Sequence, residues 1–262
     1  MTGILKKIAY KILPENTFLQ LLHNGFYFLY SFGFLKNKTS FKYHYAIKNW
    51  IKPTDYVVDI GANLGYFAKT FARLTPQGKL TCIEPIPAFY AILSRNLKTF
   101  PQVMIINTAL GKEDGFTKMV LPKDNGVLRT GLPHVIAEGE EIGEGVEVDV
   151  KITGTKKLFQ SFSRIDYIKC DIEGFEWVVF QELGEVLAEQ KPTVQIELSE
   201  ENIGNLTPFF QTLGYVQYGI VNFKLVKDQI PQKEAGDFLF IHSSKEAHFK
   251  NFDSLKRNET DH

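Results

Sequence analysis

The sequence predicts an α/β fold, a mostly parallel sheet with helices on both faces, behind an N-terminal helical segment. Three observations carry this. Short β-branched runs alternate with helix-period runs from residue 55 to 107, the spacing of right-handed strand–helix–strand crossovers. The alternation resumes at residue 165. A hydrophobic content of 44% in 262 residues supplies one sizeable core and is too high for a disordered chain.

Residues 1–52 form a basic, aromatic extension: Lys6, Lys7, Lys11, Lys36, Lys38, Lys42, Lys48 and Lys52 face a single acid, Glu15. Thr17–Leu35 is uncharged if His23 is neutral and is about the length of a marginal membrane span. Gln20, His23 and Asn24 lower its hydrophobicity, and no small-residue cleavage site follows, which disfavours a signal peptide. Three readings remain: a helix packed on the main domain, which leads, an interfacial helix with lysine flanks, or a true span.

Residues 53–245 read as the main domain. Asp55–Ile60 is a buried strand, and Leu64–Leu74 a helix with Leu64, Phe67, Ala68 and Phe71 on one face. Lys79–Glu84 is a strand, Pro87–Phe100 a helix and Val103–Asn107 a strand. Residues 111–164 are a long excursion in which Phe116–Leu121 and Val146–Ile152 form a hairpin around an acidic loop, Glu138 to Asp149. Loops of that length are usually functional lids or disordered. Strands follow at Ile165–Cys170 and Thr193–Leu198, helices at Phe175–Ala188 and Thr207–Leu213, and closing strands at Gly214–Ile220, Phe223–Val226 and Phe238–His242. Residues 246–262 are a polar tail.

Composition excludes several classes. Thirty basic against thirty acidic residues argue against a dedicated nucleic-acid binder. Two cysteines without a CxxC or Cys/His cluster exclude a disulfide framework or zinc ribbon.

The chemistry centres on Asp59-Ile60-Gly61-Ala62-Asn63-Leu64-Gly65-Tyr66-Phe67. Its glycines are spaced G-x-x-x-G, not the G-x-G-x-x-G of pyrophosphate binders. An acid just before the turn repels phosphate, so Asp59 suits a cationic ligand end such as the amino group of S-adenosylmethionine. Glu84, followed by Pro85, ends the second strand, where an acid accepts ribose hydroxyls in nucleotide-binding folds. Each residue also has a plainer role. Gly61 and Gly65 can serve packing alone, and Asp59 can cap a helix.

These motifs carry a resemblance. VVDIGANLGYFA, CIEPIPAFYAILSRNL, INTALG, IDYIKCDIEGFEWVVFQELG and PTVQIELSE resemble successive motifs of the FkbM-type methyltransferases, a branch of the class I S-adenosylmethionine-dependent enzymes. Tyr167 and Cys170 depart from the aliphatic residues usual there. The resemblance implies a class I methyltransferase Rossmann-like fold, a seven-stranded sheet ordered 3-2-1-4-5-7-6 with strand seven antiparallel. It also implies S-adenosylmethionine as cofactor, held by Asp59, Gly61, Ala62, Asn63, Gly65, Tyr66, Phe67, Glu84, Pro85, Asn107 and Asp171. In that order Cys82 and Cys170 flank strand one about 9.6 Å apart, too far for a disulfide, which suits a cytoplasmic protein.

Asp171 leaves strand four beside strand one, with Glu173 at the turn, so these two carboxylates are the catalytic candidates. Their plainer role is to cap the next helix. No metal is expected, although Asp171, Glu173 and Glu197 form a weaker oxygen-donor set. His134, near Arg129 and Thr130, is a second candidate base, and Trp177 is expected in the core. The function expected is O-methylation of a hydroxyl on a sugar, glycolipid or small metabolite, without nucleic-acid partners and with peripheral membrane contact through residues 4–50. An NAD(P) oxidoreductase, a non-catalytic scaffold on the same fold and, less favoured, an RNA methyltransferase are the alternatives.

Overall fold

Two helices, α1 (Gly3–Ile12) and α2 (Glu15–Ser31), lead the chain in the computed structural model, which describes residues 3–136, 142–221, 224–227 and 236–250. Glu15 lies in the first turn of α2, where the helix dipole favours an acid. Phe18, Leu19, His23 and Tyr27 recur every three or four residues and are buried, so one face of α2 turns inward. Phe18 and Leu19 pack with Leu64, Ile86, Phe89 and Ile92. Of the three readings of this stretch, the packed helix is the one observed. Among the described residues no helix is long and apolar enough to cross a membrane. A short α3 (Lys42–Ala46) then brings Tyr43 and Ala46 against Val57 and Phe71.

The main layers follow: β1 (Tyr56–Ile60), α4 (Ala68–Leu74), β2 (Lys79–Ile83), α5 (Pro87–Leu97) and β3 (Val103–Ile106). The excursion contains β4 (Ala109–Gly111), β5 (Gly115–Leu121), β6 (Lys123–Asp124), β7 (Val127–Leu128), β8 (His134–Val135), β9 (Val146–Gly154) and α6 (Thr155–Phe159). The chain returns through β10 (Tyr167–Cys170), α7 (Glu176–Glu182), α8 (Gly184–Gln190), β11 (Thr193–Leu198), α9 (Glu200–Thr212), β12 (Tyr215–Val221), β13 (Lys224–Lys227), β14 (Gly236–His242) and α10 (Glu246–Lys250).

The large sheet runs β3-β2-β1-β10-β11-β14-β12-β13. It is parallel from β3 to β11, and β14 is antiparallel to both β11 and β12. The expected count of seven strands needs correction to eight, because the chain doubles back after β12 and β13 adds an antiparallel edge. One face is buried by Phe180, Leu187, Leu206 and Phe210, the other by Ala46, Ile47, Phe71 and Leu93. The expected hairpin forms between β5 and β9, from Gly115↔Ile152 to Leu121↔Val146, with β4 and β8 completing a small sheet. Residues 137–141 of the acidic loop, Phe223 and residues 251–262 of the tail lie outside the described residues.

Four helices differ from their expected bounds, α5 by ending at Leu97 rather than Phe100. α4 starts at Ala68 rather than Leu64, because Asn63 (φ 53°) and Gly65 (φ 91°) are left-handed and exclude a helix there. The helix expected over 175–188 divides at Leu183 into α7 and α8. α9 begins seven residues before Thr207, where the Ser199 hydroxyl accepts the Asn202 N–H and caps the helix.

Because Phe18 is fully buried between α2 and the main domain, Phe18→Ala should lower unfolding stability by about 3–5 kcal/mol. Denaturant titration followed by tryptophan fluorescence and circular dichroism checks this; a loss near zero would show α2 to be a detachable appendage.

Candidate active site

The carboxyl ends of β1, β2 and β10 are drawn together by backbone bonds. Gly61 and Ala62 N–H groups donate to the Ile83 carbonyl at 2.9 and 3.1 Å, and the Asp171 N–H donates to the Ile60 carbonyl at 3.1 Å. Gly61 has φ 75°, and a Cβ there would lie 1.9 Å from the Asp171 carbonyl oxygen, so no larger residue fits. Glu84 clamps the turn: its carboxylate accepts the Asn63 N–H at 2.7 Å and the Ile86 N–H at 2.9 Å. From the other side, His23 Nδ1–H donates to the Leu64 carbonyl at 2.8 Å and the Tyr27 hydroxyl to that of Tyr66 at 2.9 Å. The N-terminal helix therefore satisfies carbonyls that a non-helical turn would leave orphaned.

Around this junction lies a cavity of about 390 Å³. Asp59, Gly61, Ala62, Asn63, Tyr66, Phe67, Glu84, Pro85, Asp171 and Glu173, all among the candidate site residues, line it. Two expected members do not. A Cβ on Gly65 would meet Leu93 Cδ1 at 2.9 Å, so this glycine serves helix packing. Asn107 instead donates to the Glu84 and Pro85 carbonyls at 2.8 and 2.9 Å, fixing the exit of β2.

Asp59 is fully buried, and neither carboxylate oxygen has a hydrogen-bond partner. Burial pushes its pKa up to about 6. It caps no helix. Burial likewise raises Glu84, to about 7, against the opposing pull of the Ile86 and Asn63 N–H groups. Lys169, in register with Asp59, is buried and places Nζ 2.8 Å from Asp171 Oδ2. Burial alone would lower the lysine, but the charges of Asp171 and Asp59 hold it above its usual range. Burial also opposes ionisation of Asp171, yet Lys169 and a hydrogen bond with Glu197 keep it below the ordinary range. Burial, the Asp171 charge and that shared bond push Glu197 up to about 9, so it carries the proton of the pair at neutral pH. Glu173 is raised to about 7 by burial and then by Asp171 and Glu176.

Carboxylate oxygens of Asp171, Glu173 and Glu197 lie within 4.8 Å of one another. Hard cations such as magnesium are commonly held by one or two carboxylates with water completing the shell, so these three oxygens could share one cation. Glu176 organises the turn by accepting the Ile172 and Gly174 N–H groups at 3.1 and 3.2 Å and the Asn202 amide at 2.6 Å. α7 has no side-chain cap, so Asp171 and Glu173 do not serve in that role. His134 lies on β8 outside the cavity lining, although its charge acts on Glu173. Trp177 is half-buried and packs edge-on against Phe209 at the margin of the core. Cys82 and Cys170 are buried free thiols on the strands flanking β1.

The sequence reading missed Lys169, although a lysine inside the apolar run Ile168-Lys169-Cys170 signals a buried ion pair. It also missed Phe26, Phe41 and His44 of the N-terminal segment, which line the cavity. No local motif marks them. The His44 ring stacks on Phe67 with centroids 3.6 Å apart, and both ring nitrogens lack partners. Leaving such atoms unmet costs about 1–3 kcal/mol each, so they are available to a polar occupant of the cavity.

Burial, with Lys169 adding to it, pushes the His44 pKa down to about 3. In the free protein its imidazole NMR signals should therefore stay in the neutral form as pH falls from 8 to about 5; a transition near pH 6.5 would contradict the buried setting.

Parallel strands around an unpartnered acid, a glycine turn and a carboxylate at the end of β2 define a class I methyltransferase of Rossmann-like fold. The Methyltransferase FkbM domain is matched over residues 59–216, more than half of the 262-residue chain, and the chain belongs to the FkbM methyltransferase family. Methyltransferase sdnD of Sordaria araneosa is 27% identical over 183 residues, covering 60% of this chain and 70% of that protein. Methyltransferase 1 of Beauveria bassiana (strain ARSEF 2860) is 26% identical over 161 residues, 55% of this chain and 65% of its own. The 2-O-methyltransferase NoeI of Sinorhizobium fredii (strain NBRC 101917 / NGR234) is 31% identical over 84 residues, 32% and 35% of the two chains. The crystal structure of Methyltransferase FkbM from Methylobacillus flagellatus KT superposes with a TM-score of 0.50 at 14% identity, covering 72% of this chain and 44% of that one, a likeness of fold.

Proposed function

We propose that this protein is an S-adenosylmethionine-dependent O-methyltransferase whose acceptor is a hydroxyl on a sugar, glycolipid or small metabolite. The observation that carries the cofactor is Asp59, a buried carboxylate with no partner in a cavity it shares with Glu84. An ammonium group meets the need of Asp59, and a ribose diol suits Glu84, whose oxygens keep acceptor capacity beyond their two backbone donors. The residues present thus fit the cofactor, which when bound supplies an electrophilic methyl on a sulfonium with a neutral leaving group. Phe26, Phe41, Tyr66 and Phe67 wall the cavity and exclude water. Glu173 accepts the acceptor's hydroxyl proton, its pKa near 7 suiting general-base work at neutral pH. Asp171, held by Lys169 and the Glu197 proton, fixes the electrostatic frame beside it. The relative named a 2-O-methyltransferase supports oxygen as the acceptor atom. Buried unpaired cysteines fit a cytoplasmic, reducing setting.

Calorimetry with S-adenosylhomocysteine and NADH tests the cofactor. The first should bind, Asp59→Asn and Glu84→Ala should each weaken it about tenfold or more, and NADH should not bind. Binding of NADH alone would overturn the reading. Affinity for S-adenosylhomocysteine should be level above about pH 7 and fall as pH drops through about 7 and 6, where Glu84 and then Asp59 take up protons. The ammonium stabilises ionised Asp59, so its bound pKa lies lower than its free one, and protonation opposes binding.

With an acceptor found by screening hydroxylated glycans, glycolipids and metabolites, kcat/KM should rise through pH 7 as Glu173 ionises. Glu173→Gln should lower kcat by about 10²–10⁴-fold while leaving S-adenosylhomocysteine affinity intact. Cofactor binding without turnover of any acceptor would favour the scaffold alternative.

A further inference from the structure

We infer that the outward face of α1 anchors the protein on an anionic lipid surface, which deepens the proposed function by naming a lipid-linked hydroxyl as its acceptor and rests on that reading for the acceptor alone. Leu5, Ile8 and Ile12 are 56%, 48% and 73% exposed. At about 100° per residue they fall within about 60° of one another on the helix. The adjoining side is turned to the domain, with Ala9, Tyr10 and Leu13 packed inward and the Tyr10 ring edge-on to Phe18. α1 is thus fixed to the domain with three large aliphatic side chains left in solvent.

Charge selects the partner. Exposed Lys7 and Lys11 sit beside the aliphatic stripe, and residues 3–14 contain no acid. An apolar stripe with Lys11 and Lys7 along its solvent side, on a helix that carries no acid, matches a bilayer surface carrying anionic headgroups, where the side chains enter the acyl boundary and the ammonium groups meet phosphate. The anchor is also tied to the site. α1 packs on β7, and the chain leaving β7 reaches Gly131 and Pro133, which line the cavity. Leu132 between them is 41% exposed. A lipid-linked acceptor would then meet the cavity from the surface on which α1 rests.

The test is sedimentation of the full chain with phosphatidylcholine vesicles, with and without phosphatidylglycerol, for wild type, Ile8→Asp/Ile12→Asp and Lys7→Glu/Lys11→Glu. S-adenosylhomocysteine calorimetry on each protein confirms that the site is folded. Wild type should partition onto the anionic vesicles and less onto the neutral ones, and each double variant should lose about tenfold or more with unchanged ligand affinity. Wild type that stays in the supernatant, or variants that sediment like wild type, would overturn the anchor. So would a concentration-dependent dimer abolished by the aliphatic variant in a protein that ignores vesicles, since the face would then belong to a second copy of the chain. Failure of the methyltransferase reading appears separately, as absent S-adenosylhomocysteine binding in a protein that still partitions.

Discussion

The site depends on one close approach. The turn after β1 passes so near the exit of β10 that only a glycine fits at position 61, where a Cβ would overlap the Asp171 carbonyl. This contact makes neighbours of three acids that are far apart in the chain. Asp59 precedes the turn, Asp171 follows the strand on one side, and Glu84 follows the strand on the other. A side chain at position 61 would push β10 away, and the cavity would lose its shape.

The turn itself has no regular secondary structure from Gly61 to Phe67. Its carbonyls find partners in α2 through His23 and Tyr27, and its N–H at Asn63 finds one in Glu84. Glu84 thus has two tasks, and the structural one is complete before any ligand arrives. Asp59 is different: among the described residues no hydrogen bond reaches either oxygen, and Lys169, whose charge acts on it, bonds Asp171 instead. Burial of an unmet carboxylate opposes stability, and such a cost is retained where binding requires it.

The second acidic group works by sharing. Asp171, Glu173 and Glu197 cannot all ionise at such short separations. Lys169 settles the order, holding Asp171 ionised while Glu197 keeps a proton and Glu173 is left near neutrality. Membership of the FkbM methyltransferase family accounts for the turn and the strands. Part of the aromatic lining, Phe26, Phe41 and His44, comes from outside the matched region, while Tyr66 and Phe67 lie within it.

By itself the sequence determined the alternation of strands and helices, the glycine turn, the acids at strand ends and the β5–β9 hairpin. These are readable because periodicity and turn chemistry act over a few neighbouring residues. Tertiary structure decided what depends on distant contacts. Asn107 secures the backbone of Glu84 and Pro85, and Gly65 packs against Leu93, contacts that no local pattern marks. The start of α4 was set by left-handed residues that a helical hydrophobic pattern conceals. His44 and Lys169 became part of the site only when folding carried α3 and the middle of β10 beside the turn. Their roles follow from burial and from charges contributed by other strands, and neither quantity exists until the chain has closed on itself.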